Sequence, residues 1–233
     1  MRIIHFSDWH WFFQQLPEAD LYVVTGDMLD NYPARIITAY GSEWTIDKKR
    51  ERAMQKIAIH DFVAGGGFRP YLGSPDAPIV AVRGNHDFVD IAGLFKGCNF
   101  RQEFINNESI ELLGMTITGH RGIPYIAGTW SDETSHADLM DRVRRMPDAD
   151  LYLTHYGPNA VLDGSHYGLM GMSSNLIYRN KTFLHCFGHV HENGGLTLAV
   201  EDDENNQPPS LFSNAACNIN VLEGSPKEGW KQV

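Results

Sequence analysis

The chain has 233 residues, 42% hydrophobic and 21% charged, the proportions of a soluble globular protein built on one large core. Its formal net charge of −10 works against a broad electrostatic grip on nucleic acid, where affinity comes mainly from Lys and Arg neutralising phosphates, but is compatible with a phosphate held through metal ions. No run of about 18 apolar residues, the length that could span a membrane, appears. The opening Met1 to Asp8 has too short an apolar stretch for a secretion signal, so the first residues are expected to belong to the fold. Cys98, Cys186 and Cys217 never form a CxxC pair, which argues against a disulfide framework or a thiolate zinc site and fits a reducing cytoplasm.

In chain order, Arg2 to Phe6 reads as a first strand and Leu21 to Thr25 as a second. An aromatic-rich loop from Asn31 to Trp44 leads to a helix from Thr45 to about Ala64, with Ile46, Met54, Ile57, Ala58 and Phe62 on an apolar face. Its basic face, Lys48, Lys49, Arg50 and Arg52, reads as solvated surface, and Gly65 to Gly67 ends it. The apolar β-branched run Ile79 to Val82 is a buried strand. Further β segments are expected at Ile110 to Leu113, Met115 to Thr118 and Ile123 to Ala127. A helix from about His136 to Arg145 starts with the capping-box spacing of Ser135 and Asp138. Leu151 to Thr154 is a short buried strand, followed by a Gly- and Met-rich loop to Gly171 and a short helix through Ile177. Thr182 to Phe187 is a further strand, and Leu196 to Val200, Leu211 to Ser213 and Ile219 to Leu222 read as hairpin strands. Neither repeat nor linker interrupts the pattern, so one domain over residues 1–233 is expected.

Five strand-like runs end within a residue or two in a potential metal ligand: Asp8 and His10, Asp27, Asn85, His155, and His189 with His191. Ligands of open α/β sheets bind beyond the carboxyl ends of the strands, so these side chains are expected to meet at one edge. Oxygen and imidazole donors without thiolate suit Mn, Fe, Zn or Co, and seven donors exceed one tetrahedral ion. Two ions sharing one carboxylate is the economical reading. Ions about 3.5 to 4 Å apart can clamp the attacking and leaving oxygens of an in-line phosphoryl displacement and lower the pKa of a bridging water.

Asp8-x-His10, Gly26-Asp27-x-x-Asp30, Gly84-Asn85-His86-Asp87, His155 and Gly188-His189-x-His191 resemble the five ordered motifs of the calcineurin-like metallophosphoesterase superfamily. The resemblance implies an α/β fold, a four-layer α/β/β/α sandwich of two mixed β-sheets flanked by helices. It also implies one metal on Asp8, His10, Asp27 and His191 and a second on Asp27, Asn85, His155 and His189, with manganese supporting activity in vitro. His86 would stay unligated and assist the leaving group, and Asp30 would orient its ring as imidazolium. Asp87 either supports the site locally or caps the following turn.

Among the other histidines, His5 and His185 within strands, and His60 and His136 on helices, are read as packing or surface residues. His120 and His166, in loops able to overhang the metals, are candidate substrate contacts, and Trp9, Trp11, Phe12 and Phe13 read as packing. The loop Tyr156 to Gly171, between two ligand strands, is expected to border the substrate. Protein Ser/Thr phosphatases of the superfamily usually carry Arg-Gly after the second motif and Gly-Asn-His-Glu in the third; here stand Asn31-Tyr32 and Asp87, beside a Gly-His-x-His more typical of phosphodiesterases and nucleases. A hydrolase of small or nucleotide phosphodiesters or monoesters is therefore expected. The alternatives are a repair-type nuclease, suggested by Pro33 after the second motif, and a non-catalytic protein-interaction scaffold, which the presence of His86 and every expected ligand disfavours.

Overall fold

The computed structural model describes the chain outside residues 32–33, 39–40, 165–167, 180–181 and 203–206, with backbone alone for 34–38, 41–45, 202 and 207. His166, Tyr32 and Pro33, weighed above for substrate contact and subfamily, lie outside the described residues. The elements run β1 (Arg2–Phe6), β2 (Leu21–Val24), β3 (Ala34–Thr38), β4 (Gly41–Thr45), α1 (Lys48–Ala64), β5 (Ile79–Val82) and β6 (Phe100–Phe104). They continue with β7 (Asn106–Leu112), β8 (Met115–His120), β9 (Ile123–Pro124), β10 (Glu133–Thr134), α2 (His136–Arg145), β11 (Leu151–Thr154), α3 (Met172–Ile177) and β12 (Leu184–Phe187). β13 (Leu196–Asp202), β14 (Gln207–Asn214), β15 (Ile219–Ser225) and β16 (Gly229–Gln232) complete the chain.

Two six-stranded mixed sheets result, in the orders β16-β15-β1-β2-β5-β6 and β13-β14-β12-β11-β8-β7. In the first, β1, β2, β5 and β6 are parallel, β15 runs antiparallel beside β1, and β16 pairs antiparallel with β15 at the edge. In the second, β8, β11, β12 and β14 are parallel and each edge strand is antiparallel. Alternation along the strands sets the layers. Ile3, Leu21, Val23, Val80 and Val82 point inward and meet Ile117, Leu151, Leu153, Leu184 and Cys186 of the opposing sheet. Ile4, Phe6, Tyr22, Val24, Ile79 and Ala81 point outward, where Ile59 and Phe62 of α1 and the 3-10 turn Ile91–Phe95 cover them. On the other outer face, Tyr152, Phe187 and Phe212 pack beneath Leu139 and Val143 of α2 and Leu176 of α3. Both faces of the central strands are thus largely apolar, and each fully buried Leu, Ile or Val contributes about 1.5–3 kcal/mol. The expected four-layer α/β/β/α sandwich is the observed one. Among the described residues no helix is long and apolar enough to cross a membrane.

Element boundaries differ where polarity misleads. α1 begins at Lys48 because the Asp47 carboxylate accepts from Lys49 N and Arg50 N, closing the first turn. Its buried residues include Glu51 and Gln55, whereas Ile57, placed on the expected apolar face, is exposed. The strand expected to Ala127 stops at Pro124, since Glu133 gathers the N–H groups of Ile126, Ala127 and Trp130 into a compact loop. β6, β16 and the β3–β4 pair were not anticipated. α2 matches its expected limits, with Ser135 Oγ accepting from Asp138 N at 3.1 Å.

Three histidines are built into the sheets with no exposure: His5 between Ser213 and Thr25, His185 against Thr154, and His120 against Tyr156. Burial pushes all three down to about 3. The unfolded chain takes up these protons near pH 6.5, so between about 6.5 and 3 it binds more protons than the folded chain, and stability falls as pH falls. Each such group is worth at most about 1.4 kcal/mol per pH unit. His120→Gln should therefore flatten the decline of the thermal midpoint between pH 7 and pH 4; a slope parallel to the wild type would contradict this.

Candidate functional site

β1, β2 and β5 of one sheet and β11 and β12 of the other end at a common edge, and the segments after them carry every expected ligand. These segments are forced into shapes that ordinary side chains avoid. Asp8, His10, Asp27 and His189 have φ of 57°, 43°, 51° and 69°, left-handed values that persist only where surrounding structure compels them. Two glycines make the close approach possible: a Cβ on Gly84 would strike the Asp27 carboxylate, and one on Gly188 would strike Ser7 Oγ and Asp8 Oδ2.

Hydrogen bonds then lock one loop to the next. The Asp87 carboxylate is fully buried and accepts from Asp27 N at 2.8 Å, Gly84 N at 2.9 Å and Leu29 N at 3.0 Å, which makes it a clamp between the β2 and β5 loops, not a turn cap. Burial, and next the Asp27 charge, push Asp87 up to about 7, against the three donors that favour the carboxylate. Asp27 Oδ1 accepts from His86 N at 2.7 Å, and Asp8 Oδ2 from His189 N at 3.0 Å. Gln55 of α1 donates to His86 O at 2.6 Å and Asp30 O at 3.1 Å and accepts from Phe88 N at 2.8 Å. That explains a buried polar residue on a helix expected to bury an apolar stripe.

The ligand atoms fall into groups whose members lie within 4.8 Å of one another: Asp8, His10 and His191; Asp27, His155 and His189; and His10, Asp27 and His86. Asp27 thereby neighbours both sets. Asn85 Oδ1 is 3.0 Å from His155 Nε2, which is also 3.3 Å from Asp27 Oδ2. His155 Nδ1 donates to Thr25 O at 2.6 Å, which fixes Nε2 toward the cluster, the arrangement a metal-binding imidazole needs.

The electrostatics fit a cation. Asp8 and Asp27 are each only 2% exposed, and two buried carboxylates side by side require compensating positive charge. Burial would raise the Asp27 pKa, but the His155 and His86 rings draw it far down. Asp8 is likewise held down, against burial, by its hydrogen bond from His191 at 3.2 Å. Burial alone would lower His155, but the Asp27 carboxylate lifts it to about 10, so positive charge is favoured at the position facing Asp27 and Asn85. Burial lowers His189 to about 4, leaving a neutral imidazole with a free lone pair. His10 Nδ1 is buried without a hydrogen-bond partner among the described residues. Carboxylate, imidazole and amide oxygen in this arrangement suit Mn, Fe, Zn or Co.

His86 stands beside this cluster. Its ring packs edge-on to His10, with centroids 4.6 Å apart, and over Trp130 at 4.4 Å. Its Nδ1 is buried and unpartnered, and burial lowers its pKa. The expected orienting carboxylate is elsewhere: Asp30 is exposed and its Oδ1 accepts from Asn31 N at 2.8 Å, because the chain turns outward after Leu29. The ring is held by aromatic contact instead. His120 is also corrected, since β8 runs two residues beyond the expected end and carries it into the interior, 3.2 Å from the Tyr156 hydroxyl. Trp9 and Phe13 pack in the core as expected, while Phe12 is exposed.

A cavity of about 310 Å³ is lined by Asp27, Asn85, His86, Trp130, His189 and His191, together with Ile126. It shares His189, His191 and Ile126 with a larger cavity of about 600 Å³, to which Asn159, Gly168 and Met170 of the 156–171 loop contribute. Trp130, Ile126 and Gln55 escaped the sequence reading, for their importance comes from tertiary position and no local pattern marks it. A separate cavity of about 780 Å³ lies around Arg2 at the opposite end of β1.

No curated protein matches the chain. One similar solved structure is that of an archaeal phosphodiesterase, 12% identical over 100% of this chain and 99% of that chain, with a TM-score of 0.40. Residues 1–193 match the family model described as calcineurin-like phosphoesterase, and this span contains every ligand residue placed above. The chain belongs to the calcineurin-like phosphoesterase family and is a metal-dependent phosphoester hydrolase.

Proposed function

We propose that this protein hydrolyses a phosphodiester or phosphomonoester of a small molecule at a centre of two metal ions bridged by Asp27. The observation that carries the reading is the position of the Asp27 carboxylate, within reach of the His155–His189 pair on one side and of His10 on the other. Asp8, His10 and His191 complete the first site, and Asn85, His155 and His189 the second. Two such ions, when bound, supply Lewis acidity toward the phosphoryl oxygens and lower the pKa of a bound water.

The protein's own side chains do the rest. The Asp87 clamp keeps the Asp27 and Asn85 loops in register. Asn85 donates a neutral oxygen, so that ion keeps more of its charge than a carboxylate would leave. His86, whose Nε2 is 4.0 Å from Asp27 Oδ2, opens into the 310 Å³ cavity and offers a ring N–H to the departing oxygen. Trp130 and His10 flank that ring, and Asp30 takes no part in placing it. Nucleic acid fits less well than a small ester, since among the described residues no Lys or Arg lines either site cavity. A scaffold role leaves the retained His86 and seven ligand side chains without a reason.

Asp27→Asn should lose both metal and activity; near-normal occupancy by elemental analysis of the purified variant would refute a shared carboxylate. In His86→Ala, metal content should be retained while kcat falls by about 10²- to 10⁴-fold, with a greater loss on alkyl than on activated aryl esters. Equal losses on the two would show charge stabilisation in place of proton donation. Trp130→Ala should lower kcat by about tenfold at unchanged metal content, with Trp130→Phe restoring most of it, as expected for a residue that places another. An unaltered kcat in Trp130→Ala would mean that the stack does not hold His86.

A further inference from the structure

The 600 Å³ cavity is built differently from the metal cluster it adjoins. Its floor carries His189 and His191, and its walls carry Tyr125, Ile126 and Met170, which are 66%, 53% and 67% exposed. Single exposed apolar residues are ordinary; here three, from two separate loops, converge on one cavity that contains two metal-ligand side chains.

The wall bearing Tyr125 and Ile126 is firmly held. Glu133 accepts from Ile126 N at 2.8 Å, Ala127 N at 2.7 Å and Trp130 N at 3.0 Å. Ser131 N donates to Asn85 O at 3.0 Å, which ties the wall to the ligand loop itself, and Lys48 Nζ of α1 donates to Trp130 O at 2.9 Å. Shape in this cavity therefore exists before a substrate arrives, the condition under which a pocket of a few hundred cubic ångströms selects its occupant.

The charges are as telling as the apolar surface. Among the described residues no Lys or Arg lines the cavity, and Glu192 is the carboxylate that does. A second phosphate or a carboxylate on the substrate would face Glu192 there, with the imidazoles of His136, His189 and His191 in place of any permanent cation. Tyr125 offers a ring and Met170 a thioether, surfaces that hold the face or edge of another ring.

Resting on the hydrolase reading, we propose that this cavity receives an uncharged aromatic alcohol portion of a phosphoester carrying one phosphate, with Tyr125, Ile126 and Met170 setting specificity. Polyphosphates and esters with a second anionic group are excluded by the same wall.

The test is isothermal titration calorimetry of the full, Mn²⁺-loaded protein with methylphosphonate, phenylphosphonate and 4-carboxyphenylphosphonate, beside hydrolysis of bis(4-nitrophenyl) phosphate. The wild type should bind phenylphosphonate about tenfold more tightly than methylphosphonate, as expected for burying one ring, and the carboxylate should abolish the gain. In the Tyr125→Ser/Met170→Ser variant, whose replaced side chains are exposed, the preference should shrink to about twofold or less. Equal binding of the phenyl and methyl probes, tighter binding of the carboxylated one, or an undiminished preference in the variant would overturn the inference. Hydrolysis without aryl preference would strike this inference alone. Aryl preference without hydrolysis would strike the hydrolase reading and leave the cavity as an aryl-phosphonate site.

Discussion

Two buried carboxylates, Asp8 and Asp27, lie at the edge where the sheets meet, and the rest of the site follows from how their charge is met. A carboxylate taken from water into a protein interior is costly unless it is paired and hydrogen-bonded, and two neighbouring ones compound that cost. The chain supplies imidazoles from β11 and β12 on one side and from the β1 loop on the other, with backbone N–H groups filling the remaining lone pairs. Asp87 extends the same logic one layer down, since its carboxylate fixes the backbone that carries Asp27. A fold that converges this many acceptors and imidazoles on a few ångströms is arranged for cations.

Convergence of this kind requires backbone that ordinary packing would not produce. Four of the expected ligands adopt left-handed φ, and Gly84 and Gly188 are the points at which one ligand loop rests against the carboxylate of another. Strain gathers at the strand ends and is borne by the sheets beneath, whose apolar faces are buried on both sides. The rigid sandwich and the strained rim are thus parts of one arrangement.

Much of this was legible in the sequence, for identifiable reasons. Parallel strands end at a common edge, so Asp8, Asp27, Asn85, His155 and His189 could be placed together from their positions after apolar runs alone. Helix α2 was readable to its last residue because the Ser135 and Asp138 pair is a local device that works wherever it occurs. Asp30, expected beside His86, turns outward, and Asp87, open between local support and a turn cap, proves to be the clamp, since spacing says that a carboxylate is near and leaves its direction open. His120 was misplaced by a two-residue error in where β8 ends. Gln55 and Trp130 gave no signal, because their value lies in the backbone and ring they meet across the fold. Edge strands such as β6 and β16 were hidden by polar residues on their outer side.

The central claim is a pair of ions joined by one carboxylate, and electron paramagnetic resonance of the Mn²⁺-loaded protein addresses it most directly. Two Mn²⁺ ions bridged through Asp27 should give an exchange-coupled spectrum at a stoichiometry of about two ions per chain. A six-line spectrum of isolated Mn²⁺ in protein that is saturated with metal and fully active would contradict the account.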